Sequence, residues 1–257
     1  MEKVEKSKLS DIAPLFEGWN ETLIWSCLQG HMGKAWADTL PNPSSAQIIV
    51  GDFCCFAGRP NAELVRNFPA DHPSDLLLMV PQNDGWSAMI ELQYAPVCEK
   101  ILRYSIKKES DSFDREKLRS YIKKLPQEYR LHRIDEALFH QSKTESWSRY
   151  LCSQFPSYEA YRAHGIGFMV LHGEMPVSGA SSYTFYDSGI EIEVDTKCEY
   201  RNRGLALACA SELILECLDR GLYPSWDAHD LRSVALAEKL GYHLDQAYVT
   251  YIIPNNR

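Results

Sequence analysis

Ile190-Glu191-Ile192-Glu193-Val194-Asp195-Thr196 alternates apolar and polar residues, and Lys197-Cys198-Glu199-Tyr200-Arg201-Asn202-Arg203-Gly204-Leu205-Ala206 follows it directly. The alternation is the period of a β-strand. Beyond the loop, Ala206, Ala210, Leu213, Ile214 and Cys217 recur at helical spacing, and Gly221 stands where a left-handed C-terminal cap belongs. A strand therefore leads through a short loop into a helix whose first turn is built of small residues. Backbone N–H groups at such a helix start bind phosphate, helped by the positive end of the dipole. Gly204 and Ala206 allow close approach to the backbone, and Arg201 and Arg203 add positive charge.

The next unit repeats the pattern. Leu222 to Ala228 reads as one strand, Asp230 caps a helix from Leu231 to Leu240, and Gly241 ends it. Two strings now resemble the motifs of the GNAT N-acetyltransferase superfamily. Arg201-x-x-Gly204-x-Ala206 is similar to its R/Q-x-x-G-x-G/A acetyl-CoA loop. Asp230-x-x-Ser233-x-x-Leu236-Ala237-x-Lys239-Leu240-Gly241-Tyr242 resembles its N-x-x-S/A-x-x-L-Y-x-K-x-G-F segment. The stretches GDFCCFAG, IEIEVDT, EYRNRGLA and YPSWDAHD together resemble a bacterial subgroup that includes zwittermicin A resistance acetyltransferases.

The resemblance implies an α/β (α+β) fold with a GNAT-type mixed, mostly antiparallel central sheet flanked by helices. That domain is expected over residues 128–257. An additional N-terminal α/β domain is expected over residues 1–127, where strand–helix alternation would suit a degenerate GNAT-like domain. The boundary is set by the charged run from Lys107 to Lys124 and its end at Leu125-Pro126.

Acetyl-CoA is the implied cofactor. Backbone groups of Val194, Asp195 and Thr196 would hold the pantetheine arm, and Arg201, Asn202, Arg203, Gly204, Leu205 and Ala206 the pyrophosphate, with Asp230 and Ser233 beside them. Direct attack of an amine on the thioester needs a base and an acid. Glu193 and Glu191 are the expected bases, with Asp195 a further carboxylate on the strand. Counting back from Arg201, the positions that carry the base in several relatives fall on Ile190 and Ile192. The acidic side chains then face the other way unless a bulge shifts the register. Ala237 replaces the usual tyrosine acid. Tyr248 is the expected substitute, while Tyr242, Tyr251 and His243 are alternatives of which the tyrosines fit a buried core equally well. Trp226 and Asp227 follow a strand end bordering the cleft and are expected at the acceptor.

Composition narrows the field. The chain has 257 residues, 35 acidic against 27 basic, and a net charge of −8, which argues against a nucleic-acid footprint. The longest apolar runs fall short of the roughly 20 residues of a membrane helix, and the charged start MEKVEKSKLSD is no secretory signal. A cytoplasmic protein with no membrane partner is expected. Its eight cysteines include no CxxC and read as reduced, with Cys198 a loop residue without chemistry. P-loop, HExxH and G-x-S-x-G motifs are absent and the histidines are scattered, so no metal is expected. The expected activity is acetyl transfer from acetyl-CoA to a primary amine of a small molecule, such as an amino-bearing antibiotic or metabolite, in a ternary complex. A non-catalytic acyl-CoA sensor and a protein lysine or N-terminal acetyltransferase are the rivals, and a homodimer is compatible with each.

Overall fold

In the computed structural model, residues 1–69, 72 and 74–254 are described. The chain divides into two compact units. The first comprises residues 1–103 together with the C-terminal segment from Ala247, and the second runs from Tyr104 to Gln246. The chain passes from the first to the second within a strand, and returns within another.

The first unit holds β1 (Glu2–Val4), α1 (Leu9–Ile12), α2 (Thr22–Leu28), β2 (Lys34–Ala37), β3 (Ser45–Val50), β4 (Phe53–Gly58), α3 (Ala62–Val65), β5 (Leu76–Pro81) and α4 (Asp84–Tyr94). The β-rich run from Gln47 to Gly58 is a hairpin, turning at Gly51 with φ of 57°. Its neighbours are antiparallel except β4 and β5, which run parallel. Trp86 and Ile90 of α4 are fully buried against Phe56, Leu77 and Met79. Phe56 and Trp86 stack at 5.0 Å, and the Trp86 indole N–H donates to Gly58 O at 3.0 Å.

The chain then runs through β6 (Glu99–Ile106), α5 (Arg115–Lys123), β7 (Tyr129–Arg133), α6 (Glu136–Ser142), α7 (Tyr158–His164), β8 (Gly167–His172), β9 (Met175–Tyr186), β10 (Gly189–Thr196), α8 (Leu205–Asp219), β11 (Tyr223–Ser225), β12 (Asp227–Ala228), α9 (Leu231–Leu240) and β13 (Leu244–Pro254). The last part of β13 lies in the first unit, antiparallel to β5. The sheet of the second unit has the order β11-β10-β9-β8-β7, antiparallel throughout except between β10 and β11. This is the expected mixed, mostly antiparallel sheet flanked by helices.

α8 packs on one face, burying Leu213 and Ile214 completely with Val170, Val177 and Ala180. Each such aliphatic side chain contributes about 1.5–3 kcal/mol. The other face is covered by Leu138 and Phe139 of α6, by Leu151 and Phe155 from the connection that follows it, and by Tyr161 of α7.

The charged run expected to mark a boundary near residue 127 is instead a helix of the second unit. Asp114 caps α5 by accepting from the N–H groups of Glu116 and Lys117. Leu118 is fully buried in the core shared with α8, and Tyr121 and Ile122 pack against that core. The charges are the outer face of an amphipathic helix, which local composition resembles a linker in showing.

Candidate functional site

The segment from Leu222 to Ala228, read as one strand, is two. β11 pairs in parallel with the start of β10, Gly189↔Tyr223 through Glu191↔Ser225. β12 leaves that partner and pairs with β6, Asp227↔Ser105 and Ala228↔Tyr104. The break falls at Trp226, and from Ile192 onward β10 has lost its neighbour on that side. A strand cannot keep two diverging partners, so the change of partner opens the sheet.

The opening is a cleft of about 480 Å³, walled by Val194, Asp195 and Thr196 of β10, the loop before α8, Trp226, and α9. Trp226 is only 6% exposed, and its indole N–H donates to Ser233 Oγ at 3.0 Å, which ties the break to the start of α9.

The loop presents backbone donors. Asn202 has φ of 63° and Gly204 φ of 79°, two left-handed residues that turn the chain sharply into α8. The first intrahelical bond runs from Ala208 N–H to Gly204 O at 3.2 Å. The N–H groups of Leu205, Ala206 and Leu207 therefore have no acceptor within the helix. Asn83, Asp114, Asp135, Ser157 and Asp230 cap α4, α5, α6, α7 and α9 with a side-chain oxygen. At α8 no side chain does so, and no acid stands in its first turn. The positive end of the longest helix thus opens into the cleft.

Most expected cofactor residues line this cleft, namely those of β10, Arg201, Asn202, Gly204, Leu205 and Ala206, together with Asp230 and Ser233. Arg203 is not among them. It donates to Tyr129 OH at 3.0 Å and Glu199 O at 2.8 Å and lies over the Tyr200 ring. Arg201 Nε donates to Thr196 O at 3.2 Å, bracing the loop on the strand end. Asp230 accepts from the N–H groups of Arg232 and Ser233, so its carboxylate serves as a helix cap. Ion pairing with Arg232 at 2.6 Å helps hold it below the usual carboxylate range, although burial opposes this. Tyr200, Leu207, Arg232, Ala235, Leu236 and Lys239 complete the lining without having been expected there. For the four on α9 the signal was available, since they share one helical stripe.

The catalytic expectations divide. A register shift lies between Glu191 and Ile192, where β9 carries an extra residue, while Ile190 and Ile192 are buried in the core shared with α8. Glu191 is 5% exposed. Burial, and then the charge of Glu191, pushes up the hydroxyls of Tyr186 and Tyr223, the latter to about 12. Glu193 is half-buried, one residue before the lining begins. Asp227 is half-buried in β12 and outside the lining. Tyr248 lies on β13 in the first unit and is likewise outside it. Ala237 is fully buried among core residues, so no side chain reaches out from the usual tyrosine position. Tyr242 is 1% exposed and donates to Pro224 O at 2.6 Å, and Tyr251 donates to Glu91 at 2.6 Å. Both are structural tyrosines.

Asp195 carries a pH-dependent signature. Burial pushes its carboxyl up, against the Thr196 N–H at 2.6 Å and the Arg201 charge, which pull it down. Its contribution to stability is therefore full below the ordinary aspartate value of 3.8 and lost as pH rises through the raised one. Asp195→Asn is expected to raise Tm at neutral pH, with the gain shrinking on acidification. Thermal unfolding of both proteins across this range checks it, and an unchanged or lower Tm at neutral pH contradicts it.

All eight cysteines are free, and only Cys198 is exposed outright. Among the described residues no group of three or more His, Cys, Asp or Glu could hold a metal, and no helix is long and apolar enough to cross a membrane.

The geometry has counterparts. A GNAT acetyltransferase family matches residues 13–251. An uncharacterized N-acetyltransferase of Bacillus subtilis (strain 168), YdfB, is 28% identical over 262 residues, covering 98% of each chain. The crystal structure of a GCN5-related N-acetyltransferase-like protein from Streptococcus suis 89/1591 has a TM-score of 0.90 and 44% identity, covering 95% of this chain and 98% of that one. A tandem GNAT protein from the clavulanic acid biosynthesis pathway shares the fold at a TM-score of 0.59 and 11% identity, over 100% of this chain and 99% of its own. The chain belongs to the GNAT acetyltransferase family, and it is an N-acetyltransferase.

Proposed function

We propose that the protein transfers an acetyl group from acetyl-CoA to the primary amine of a small molecule. The observation that carries this reading is the parting of β10 and β11 beside the open N-terminus of α8. Acetyltransferases of this fold use acetyl-CoA, and the residues present fit it. A Cβ at Gly204 would meet nothing within 4 Å, so the backbone there is open to a bulky anion. The N–H groups from Asn202 to Leu207 and the Arg201 guanidinium suit a diphosphate. Backbone groups of Val194 to Thr196, without a β11 partner, suit the amides of the pantetheine arm. When bound, acetyl-CoA supplies an activated acyl thioester.

Glu193 is the base in this reading. It takes a proton from the acceptor ammonium, directly or through a water, and so supplies the neutral amine. Glu191 sits deeper and polarises the tyrosine cluster around it. No tyrosine among those described in the second unit's core is free to serve as acid, so the leaving thiolate takes its proton from solvent. Trp226 and Asp227 remain the acceptor-side residues. The net charge of −8 favours encounter with a cationic amine. Likeness to zwittermicin-resistance enzymes directs the first acceptor screen to amino-bearing antibiotics and metabolites. The first unit is read as a degenerate GNAT-like domain, in keeping with the tandem architecture it shares in fold.

Calorimetric titration with acetyl-CoA, desulfo-CoA and ATP tests the cofactor, and thiol release with small amines or lysine peptides tests the acceptor. Binding of both CoA species but not ATP, with release on small amines, is expected. Absence of CoA binding would overturn the reading, and release on peptides alone would replace the acceptor class.

A further inference from the structure

Arg201, Arg232 and Lys239 are the cations that line the cleft. Two are already engaged. Arg201 braces Thr196 O and lies 3.9 Å from Asp195. Arg232 is gripped by Asp230 through Nε at 2.9 Å and a terminal nitrogen at 2.6 Å. Lys239 Nζ, by contrast, makes no ion pair or hydrogen bond among the described residues, while its backbone carbonyl accepts from Tyr121 OH at 3.1 Å.

The placement of that ammonium is specific. Arg232, Ala235, Leu236 and Lys239 follow the i, i+3, i+4, i+7 pattern, so they form one stripe of α9 along the cleft. Its two cations stand roughly 10 Å apart along the helix axis. Ala235 and Leu236 between them offer a small apolar surface on which a flat heterocycle can lie. The start of α8 and Arg201 already provide donors for a diphosphate. A ligand of the CoA class carries one further phosphate, on the ribose, and the wall carries one unengaged ammonium.

We infer that Lys239 recognises the ribose 3′-phosphate of CoA and so makes the cleft select CoA over its 3′-dephospho form. The inference rests on the acetyl-CoA reading above. Lys239 is exposed, so replacing it leaves the core untouched. The contact is also open to salt, and its effect is greatest at low ionic strength.

Four dissociation constants measured by calorimetry test the assignment: wild type and Lys239→Gln, each with CoA and with 3′-dephospho-CoA. Wild type is expected to prefer CoA by about tenfold, the scale of one charge-assisted contact. Lys239→Gln is expected to lose that preference by weakening CoA alone, and Lys239→Arg to keep it. Equal weakening of both ligands, or of neither, would overturn the assignment while leaving the cofactor reading intact. If wild type bound neither ligand, the cofactor reading would fall and this inference with it.

Discussion

Gly204→Glu is expected to weaken CoA binding by more than about 100-fold, which corresponds to roughly 2.7 kcal/mol. Gly204 has φ of 79° and caps α8 with no side chain of its own. An ordinary L-residue in that conformation costs about 1–2 kcal/mol. A Cβ there meets no protein atom within 4 Å, so the fold accommodates the substitution and the new side chain projects into open space. That space adjoins the unbonded N–H groups of Leu205 to Leu207. A glutamate can fold back and accept from them, acting as the capping residue that α8 lacks. The same carboxylate would repel a diphosphate. Gly204→Ala carries the backbone cost without the anion and is expected to lose far less affinity. Calorimetry on both variants separates the two effects. Equal losses would mean that loop geometry, rather than anion competition, sets affinity, and wild-type binding by Gly204→Glu would remove this loop from the cofactor site.

Much of this site is visible in local sequence because its elements are delimited locally. Period-two alternation marks Ile190 to Thr196, Gly221 has the left-handed φ of 69° that ends α8, and Asp230 and Gly241 bracket α9 as cap and stop. The parts that were not visible depend on partners distant in the chain. Trp226 lies in a continuous strand-like string, and only the separate pairing of Asp227 and Ala228 with Ser105 and Tyr104 shows that the strand must break. Arg203 looks equivalent to Arg201, yet the hydroxyl of Tyr129, 74 residues earlier, draws it out of the cleft. The run from Lys107 to Lys124 hides a helix whose one fully buried residue is Leu118. In each case tertiary contacts decide between two uses of the same local pattern.

The same distinction governs the choice of base, and Glu193→Gln is expected to reduce kcat by about 10²-fold or more, the range for losing a general base. CoA affinity is expected to stay within about twofold, since Glu193 lies outside the cofactor lining. Glu191 is 5% exposed amid tyrosines, whereas Glu193 is half-buried, and the proposed base is the less buried of the two. The sign of the pH dependence identifies the role. Without a base the rate follows the fraction of acceptor already neutral in solution, so kcat/KM of Glu193→Gln should rise about tenfold per pH unit up to the pKa of the amine. Wild type should level off earlier, at the pKa of its carboxylate. A parallel profile with an unchanged plateau would show that Glu193 takes no proton. Glu191→Gln provides the contrast: a lowered Tm with the wild-type profile fits a structural carboxylate, and transfer of the pH effect to that variant would move the base two residues deeper along β10.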